Sequence, residues 1–132
     1  MNAEFADSNV LIYLVSADER KSAIAQQILA RRPVISVQVL NEAANVLVNK
    51  LRKPWPETLL FLSSLRAEAD LVPLDEKTHD MGVRIAIRHR VHVYDGMMLA
   101  SALLAGCARI YSEDMHAGLV IENRLRIINP FA

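Results

Sequence analysis

The sequence predicts an α/β fold in which one domain, residues 1–132, holds a mostly parallel sheet of about four to five short strands flanked by helices. Short apolar segments alternate with longer ones whose apolar residues recur at helical spacing, and this alternation indicates a parallel sheet. Hydrophobic residues make up 52% of the chain and aromatic residues only 5%, which suits aliphatic packing of helices on buried strands. No internal repeat or Gly/Ser linker divides the chain.

Each predicted element has a local cause in the sequence. Pro33 ends the helix that precedes it, Ser36 and Asp75 are typical helix N-caps, and Pro54 opens a helix at its first turn. Strands are predicted at residues 4–6, 34–35, 70–74, 109–111 and 126–128. Helices are predicted at residues 10–14, 19–31, 37–51, 54–65, 76–89 and 93–104.

Composition excludes several classes of protein. Fifteen basic and fifteen acidic residues give zero net charge, so the strong positive charge typical of nucleic-acid binders is absent. Nucleic-acid binding would require acids and bases to be segregated on the surface. The single cysteine, Cys107, forms no intramolecular disulfide and is expected to be a small buried hydrophobe. Residues 1–6 show no signal-peptide pattern, and no apolar run is as long as a membrane span, so we expect a cytoplasmic protein without a membrane segment.

Three aspartates stand where ligand sites form in parallel sheets, outside the carboxyl ends of the strands. Asp7 follows the first strand, Asp114 follows the strand at residues 109–111, and Asp95 opens the helix that leads into that strand. Taken singly, Asp7 and Asp95 are better explained by helix capping or by the helix dipole, and Asp114 by turn chemistry.

A fourth acid, Glu42, belongs to a polar stripe of its helix. The stripe also contains Gln38, Asn45 and Asn49. A solvated helix surface is the ordinary explanation for Glu42 taken alone. Taken jointly, the four acids favour a metal site, because clustered carboxylates repel one another unless a cation is bound. Oxygen ligands suit Mg²⁺ or Mn²⁺, and such ions assist phosphodiester hydrolysis.

Four short stretches of the sequence resemble, in order, the motifs of the PIN-domain family, and specifically of its VapC-like toxins. The first places Ser8 and Asn9 directly after Asp7, before an apolar helix. The matching stretches are residues 5–13, 36–47, 93–100 and 111–115, with a closing match at residues 128–131. The resemblance therefore extends over essentially the whole chain.

The resemblance implies a metal-dependent endoribonuclease that is the toxin half of a toxin–antitoxin pair. Asp7 and Asp95 would be the principal ligands of Mg²⁺ or Mn²⁺, while Glu42 and Asp114 would bind through water or hold a second ion. Asn9 and Ser112 would support these ligands by hydrogen bonds. The implied partners are an RNA substrate, a cognate antitoxin and a second copy of the chain in a homodimer.

The sequence departs from the family pattern at two positions. Gly96 stands where the family commonly has alanine, a change expected to loosen the start of the helix at a cost of up to about 1 kcal/mol. Ser8 replaces the commoner threonine but keeps the hydroxyl group.

Three further features of the sequence suggest binding surfaces. Arg88 and Arg90 precede Asp95 closely and are candidate RNA contacts, although cations at a helix end are equally expected from the helix dipole. Residues 59–62 make a helix apolar around much of its circumference, which indicates either an interface or full burial. Trp55 is expected to anchor the core or an interface.

Three other functions fit the sequence less well. A phosphoacceptor receiver domain typically has a lysine near its last strand, where this chain has arginines. A haloacid-dehalogenase-type phosphatase requires a second aspartate two positions after Asp7, where Asn9 stands. A catalytically silent PIN scaffold that only binds RNA or protein would be expected to lack one or more of the four acids, all of which are present.

Overall fold

Six strands form one sheet in the computed structural model, which describes residues 3–132. The strands are β1 (Ala3–Ala6), β2 (Val34–Ser36), β3 (Asp70–Val72), β4 (Cys107–Tyr111), β5 (Val120–Ile121) and β6 (Leu125–Ile128). The helices are α1 (Ser8–Leu11), α2 (Glu19–Ala30), α3 (Val37–Asn45), α4 (Trp55–Glu68), α5 (Glu76–His89) and α6 (Val93–Leu104). Met1 and Asn2, part of the segment considered for a signal peptide, lie outside the described residues.

The sheet is parallel except at one edge, as the alternation of strands and helices predicts. Its strand order is β3-β2-β1-β4-β6-β5, and β5 pairs with β6 in the antiparallel direction. The strand β5 was not predicted, because its two residues are too few to show a period in the sequence. Central strands carry the most buried residues of the core, such as Phe5, Ile35 and Ile110, each fully buried.

Most helices begin and end close to their predicted bounds. The helix α6 covers residues 93–104 as expected, and the Asp75 carboxylate caps α5 by accepting hydrogen bonds from the backbone N–H and the hydroxyl group of Thr78. The first helix differs, since α1 ends at Leu11 and the chain continues as a 3₁₀ turn, Ile12–Val15. The helix α4 extends to Glu68, and β3 ends at Val72.

The helix α3 differs most from its prediction. It continues into a wide π-helical turn, Val46–Lys50, in which the backbone N–H of Leu51 donates to the carbonyl oxygen of Val46. Val39, Ala43 and Leu47 form its buried face, whereas Leu51, predicted to belong to that face, is 43% exposed. The wider turn rotates the end of the helix, because each π-helical turn contains an extra residue.

Two expectations about burial and membranes can be compared with the structure. Cys107 is buried and unpaired as expected, and burial raises the pKa of its thiol to about 11. None of the helices within residues 3–132 is long and apolar enough to span a lipid bilayer.

Candidate active site

The pairing of β1 with β4 brings Asp7 next to Ser112. Ala6 and Tyr111 are register partners at the ends of these parallel strands, so the next residues of both strands emerge side by side. The backbone N–H of Asp7 donates to the carbonyl oxygen of Tyr111 at 2.9 Å. The Ser112 hydroxyl then donates to Asp7 Oδ2, also at 2.9 Å.

Asp7 occupies the N-cap position of α1, but its carboxylate makes no capping hydrogen bond. Asp7 is 5% exposed, and its carboxylate instead accepts hydrogen bonds from the hydroxyl groups of Ser112 and Ser8. Burial raises the pKa of Asp7 to about 6; hydrogen bonds from Ser112 and Ser8 oppose this shift, and the Glu42 carboxylate adds to it. Ordinary helix capping therefore does not explain this aspartate.

Glu42 is half-buried and does not lie on a solvated helix surface. Its Oε1 atom lies 2.8 Å from the Ser8 hydroxyl, and its Oε2 atom accepts from the Gln38 amide at 3.0 Å. The Ser8 oxygen also lies 3.2 Å from Asp7 Oδ1, so its single proton links two carboxylates that repel each other.

Asp95 enters the site from the first turn of α6. Burial raises its pKa; nearby His92 lowers it, and the carboxylates of Glu42 and Asp114 raise it further. The helix reaches this position through close contact with α5, because a Cβ atom on Gly96 would overlap the carbonyl oxygen of Gly82. Gly96 thus permits the close approach of the two helices, a role that the sequence did not predict.

The loop after β4 carries Asp114, whose side chain is exposed. Asn9 holds the loop by accepting the backbone N–H of Glu113 at 3.0 Å and by donating to the Ser112 hydroxyl at 3.3 Å. The Glu113 carboxylate pairs with Lys21 at 2.8 Å and accepts the hydroxyl group of Tyr13, contacts that lower its pKa against the opposing effect of burial. The negative charge of Glu113 is thus balanced by the positive charge of Lys21.

One cleft of about 760 Å³, here called the acidic cleft, brings these groups together. Asp7, Glu42, Asp95 and Asp114 all line it. Lys50 and Lys53, from the end of the π-helical turn and the segment after it, also contribute to its lining. The acidic cleft therefore carries both negatively and positively charged side chains.

The donor set of the acidic cleft suits a hard divalent cation. Within residues 3–132, no three Asp, Glu, His or Cys side chains are close enough together to form a complete set of metal ligands. Mg²⁺ commonly takes only one or two protein carboxylates and fills its remaining positions with water and phosphate oxygens. Four carboxylates that share one cleft, two of them with raised pKa values, meet this requirement.

Comparison with protein families gives one match, to the PIN domain, over residues 5–118. The chain belongs to the PIN domain family. This match covers every residue placed at the acidic cleft by the strand and helix geometry. A comparison with curated proteins finds no match.

Solved structures with this PIN fold include toxins of toxin–antitoxin systems. DNA-bound VapBC from Salmonella typhimurium is 17% identical with a TM-score of 0.70, over 96% of this chain and 97% of that chain. A toxin–antitoxin complex from Klebsiella pneumoniae is 18% identical with a TM-score of 0.69, over 98% of both chains. VapC20 from Mycobacterium tuberculosis, described as a sarcin–ricin loop cleaving toxin, is 16% identical with a TM-score of 0.66, over 82% of this chain and 87% of that chain.

The predicted site residues form two groups in the structure, one in or directly behind the acidic cleft and one outside its lining. The four acids, with Asn9, line the acidic cleft, and Ser112 lies fully buried behind Asp7. Arg88 and Arg90 are not among the residues that line it. Arg88 instead pairs with Glu122 at 2.8 Å, and Arg90 is an exposed, left-handed residue that ends α5.

Sequence reasoning missed Lys50, Lys53 and the contact role of Gln38. The two lysines follow a turn whose π-helical geometry has no marker in the sequence, so their direction could not be predicted. Gln38 belongs to the polar stripe of the helix, and its spacing of four residues from Glu42 is the signal in the sequence for their contact.

Proposed function

We propose that the chain is a metal-dependent endoribonuclease that hydrolyses RNA phosphodiester bonds with Mg²⁺ or Mn²⁺. The observation that carries the proposal is the buried Asp7 carboxylate, 5% exposed, in a cleft shared with three further acids. A buried carboxylate with a raised pKa beside other carboxylates costs folding free energy, and a bound cation offsets that cost.

The residues of the acidic cleft have distinct roles in this proposal. Asp7 and Asp95 would be the principal ligands, and Glu42 and Asp114 would bind through water or hold a second ion. Ser112 orients the Asp7 carboxylate through its 2.9 Å hydrogen bond, and Asn9 positions the Asp114 loop. A divalent ion held by these residues would supply an activated water molecule and compensation for negative charge on the phosphate.

Basic residues supply the RNA contacts in this proposal. Lys50 and Lys53 line the acidic cleft, where ammonium groups can meet the phosphates on either side of the scissile bond. Lys53 lies 3.8 Å from Glu57, a contact loose enough to exchange for a phosphate. Arg88 and Arg90 remain candidates for more distant RNA contacts, and Arg88 would first have to leave Glu122.

We also propose that the chain acts as the toxin of a toxin–antitoxin pair in the cytoplasm, as a homodimer. The fold it shares with the structure of a toxin–antitoxin complex supports the pairing. The helix α4 supplies an exposed apolar surface for an antitoxin or a second copy, with Trp55 56%, Leu59 57% and Leu60 74% exposed.

A catalytically silent PIN module that binds RNA or protein is the alternative function. The presence of all four acids in one cleft favours the nuclease, because a binding module has no need to retain mutually repelling carboxylates.

Cleavage of purified RNA by the purified, antitoxin-free protein tests the proposal. We expect discrete fragments with Mg²⁺ or Mn²⁺, none with EDTA, and a loss of roughly 100-fold or more for Asp7→Asn, which keeps the shape and removes the charge. Asp80→Asn on the exposed surface of α5 is the matched control and should cleave as the unaltered protein does. Absence of cleavage with either ion, by folded protein, would favour the binding module.

A further inference from the structure

Gln38 is a buried amide that contacts Glu42, which lines the acidic cleft, and the backbone of Tyr94, the residue before Asp95. The residue is 6% exposed and lies one turn before Glu42 on α3. Its Nε2 atom donates to Glu42 Oε2 at 3.0 Å and to the backbone carbonyl oxygen of Tyr94 at 2.9 Å. Both amide protons are therefore used, one on a carboxylate and one on the first turn of α6.

The amide also carries an unfavourable feature. Its Oε1 atom is buried and has no hydrogen-bond partner among residues 3–132. An unsatisfied buried acceptor costs folding free energy that an apolar side chain of similar size would not. Packing alone therefore gives no reason for glutamine at this position, whereas its two donated hydrogen bonds do.

Those two bonds complete a chain of contacts between the two principal acids. Asp7 contacts Ser8, the Ser8 hydroxyl contacts Glu42, and Glu42 contacts Gln38. Gln38 then contacts Tyr94, which precedes Asp95 in α6. Glu42 is thereby held from both sides, at Oε1 by Ser8 and at Oε2 by Gln38.

We infer that Gln38 is a positioning residue that fixes the Glu42 carboxylate against the start of α6 and so sets the affinity of the acidic cleft for its divalent ion. The inference rests on the proposed function for the identity of the ion. Partners that orient metal ligands typically change ion affinity by about 10–100-fold when they are removed. Gln38 itself contacts neither the ion nor the RNA in this account.

Calorimetric titration of EDTA-stripped protein with Mn²⁺ tests the inference. Gln38→Met keeps the length and the burial of the side chain and removes both donors, and Gln38→Asn keeps the amide but is too short to reach both partners. We expect both variants to bind Mn²⁺ about 10–100-fold more weakly than the unaltered protein. Gln26→Met, which alters an exposed amide on α2, is the control and should bind Mn²⁺ normally.

RNA cleavage gives a second readout that a purely structural role would not change. At limiting Mn²⁺ the turnover rate of Gln38→Met should fall while its KM for RNA is unchanged, and raising the Mn²⁺ concentration should restore the rate. A thermal melt in EDTA shows that each variant is folded.

Normal Mn²⁺ affinity in both folded Gln38 variants would overturn the inference, as would the absence of Mn²⁺ binding by the unaltered protein. Normal Mn²⁺ binding by a protein that cleaves no RNA would instead overturn the proposed function alone. If Gln38→Met fails to fold, Gln38→Asn carries the test.

Discussion

Asp7 is the residue in which the folding and the proposed function of the chain conflict. Asp7 is 5% exposed, and the Ser8 hydroxyl contacts both its carboxylate and that of Glu42. Hydroxyl groups from Ser112 and Ser8 offset part of the cost of burial, but the pKa of Asp7 still rises to about 6. A side chain selected only for stability would be neutral at this position. The carboxylate of Asp7 therefore indicates a functional role, which we propose is to bind a cation.

The first prediction concerns the stability of metal-free protein. Because the pKa of Asp7 is about 6 in the folded state and 3.8 ordinarily, stability should fall as pH rises through this window. Near neutral pH in EDTA, Asp7→Asn should therefore unfold with a free energy higher by on the order of 1–3 kcal/mol. Urea denaturation of both proteins measures this difference.

The control for this prediction is Asp80→Asn on the exposed surface of α5, which should change the stability near neutral pH by no more than about 0.5 kcal/mol. The advantage of Asp7→Asn should disappear below pH 3.8, where both forms are neutral at this position. An Asp7→Asn protein that is less stable than the unaltered chain near neutral pH would contradict the interpretation.

At the scale of elements, the contact between α5 and α6 positions Asp95. Gly82 and Gly96 face each other across this contact, and a Cβ atom on Gly82 would lie 2.9 Å from Met97 Cα. The sequence predicted both helices to within a residue but did not predict how closely they pack. A glycine within a helical segment indicates low helix propensity, and the sequence alone does not show that it permits close packing.

The second prediction is that Gly96→Ala destabilises the fold despite the higher helix propensity of alanine. The new methyl group would overlap the carbonyl oxygen of Gly82, a backbone atom that cannot rotate away. We expect a net loss of about 1–3 kcal/mol in the free energy of unfolding and weaker RNA cleavage, because α6 carries Asp95.

Chemical denaturation measures the first effect, and the cleavage assay measures the second. Ala67→Ser on the exposed surface of α4 is the control and should stay within about 0.5 kcal/mol of the unaltered chain. Unchanged or increased stability of Gly96→Ala would show that the two helices have room to separate.

At the scale of the whole molecule, a chain of zero net charge brings four carboxylates and two lysines together in the acidic cleft. Alternation of strands and helices predicted the sheet, and the strand ends predicted where Asp7 and Asp114 emerge. Lys50 and Lys53 could not be predicted, because the π-helical turn that precedes them is a feature of packing with no period of its own. Gln38 was visible as a polar residue, but its second contact, with Tyr94, depends on tertiary structure.

The third prediction is that Lys50→Ala combined with Lys53→Ala weakens RNA binding without preventing ion binding. Loss of phosphate contacts should lower affinity at low salt and reduce the salt dependence of log K by up to about 0.7 for each lysine removed. Fluorescence anisotropy with a labelled single-stranded RNA measures both effects. Lys77→Ala, at an exposed position of α5, should bind RNA normally.

A salt dependence that is the same in the double variant and the unaltered protein would contradict this third prediction. It would move the RNA contacts to other basic groups, of which Arg88 and Arg90 are the first to test.

The central claim is hydrolysis of RNA by an ion-activated water molecule in the acidic cleft, and analysis of the RNA ends produced by the purified protein tests it most directly. Water attack on the phosphate leaves a phosphate on one fragment and free hydroxyl groups on the other, whereas attack by the neighbouring RNA 2′-hydroxyl leaves a 2′,3′-cyclic phosphate. The account predicts a linear phosphate on one fragment and free hydroxyl groups on the other, in products that appear with Mg²⁺ or Mn²⁺ and disappear with EDTA or Asp7→Asn. Cyclic phosphate ends, or cleavage that continues in EDTA, would contradict it.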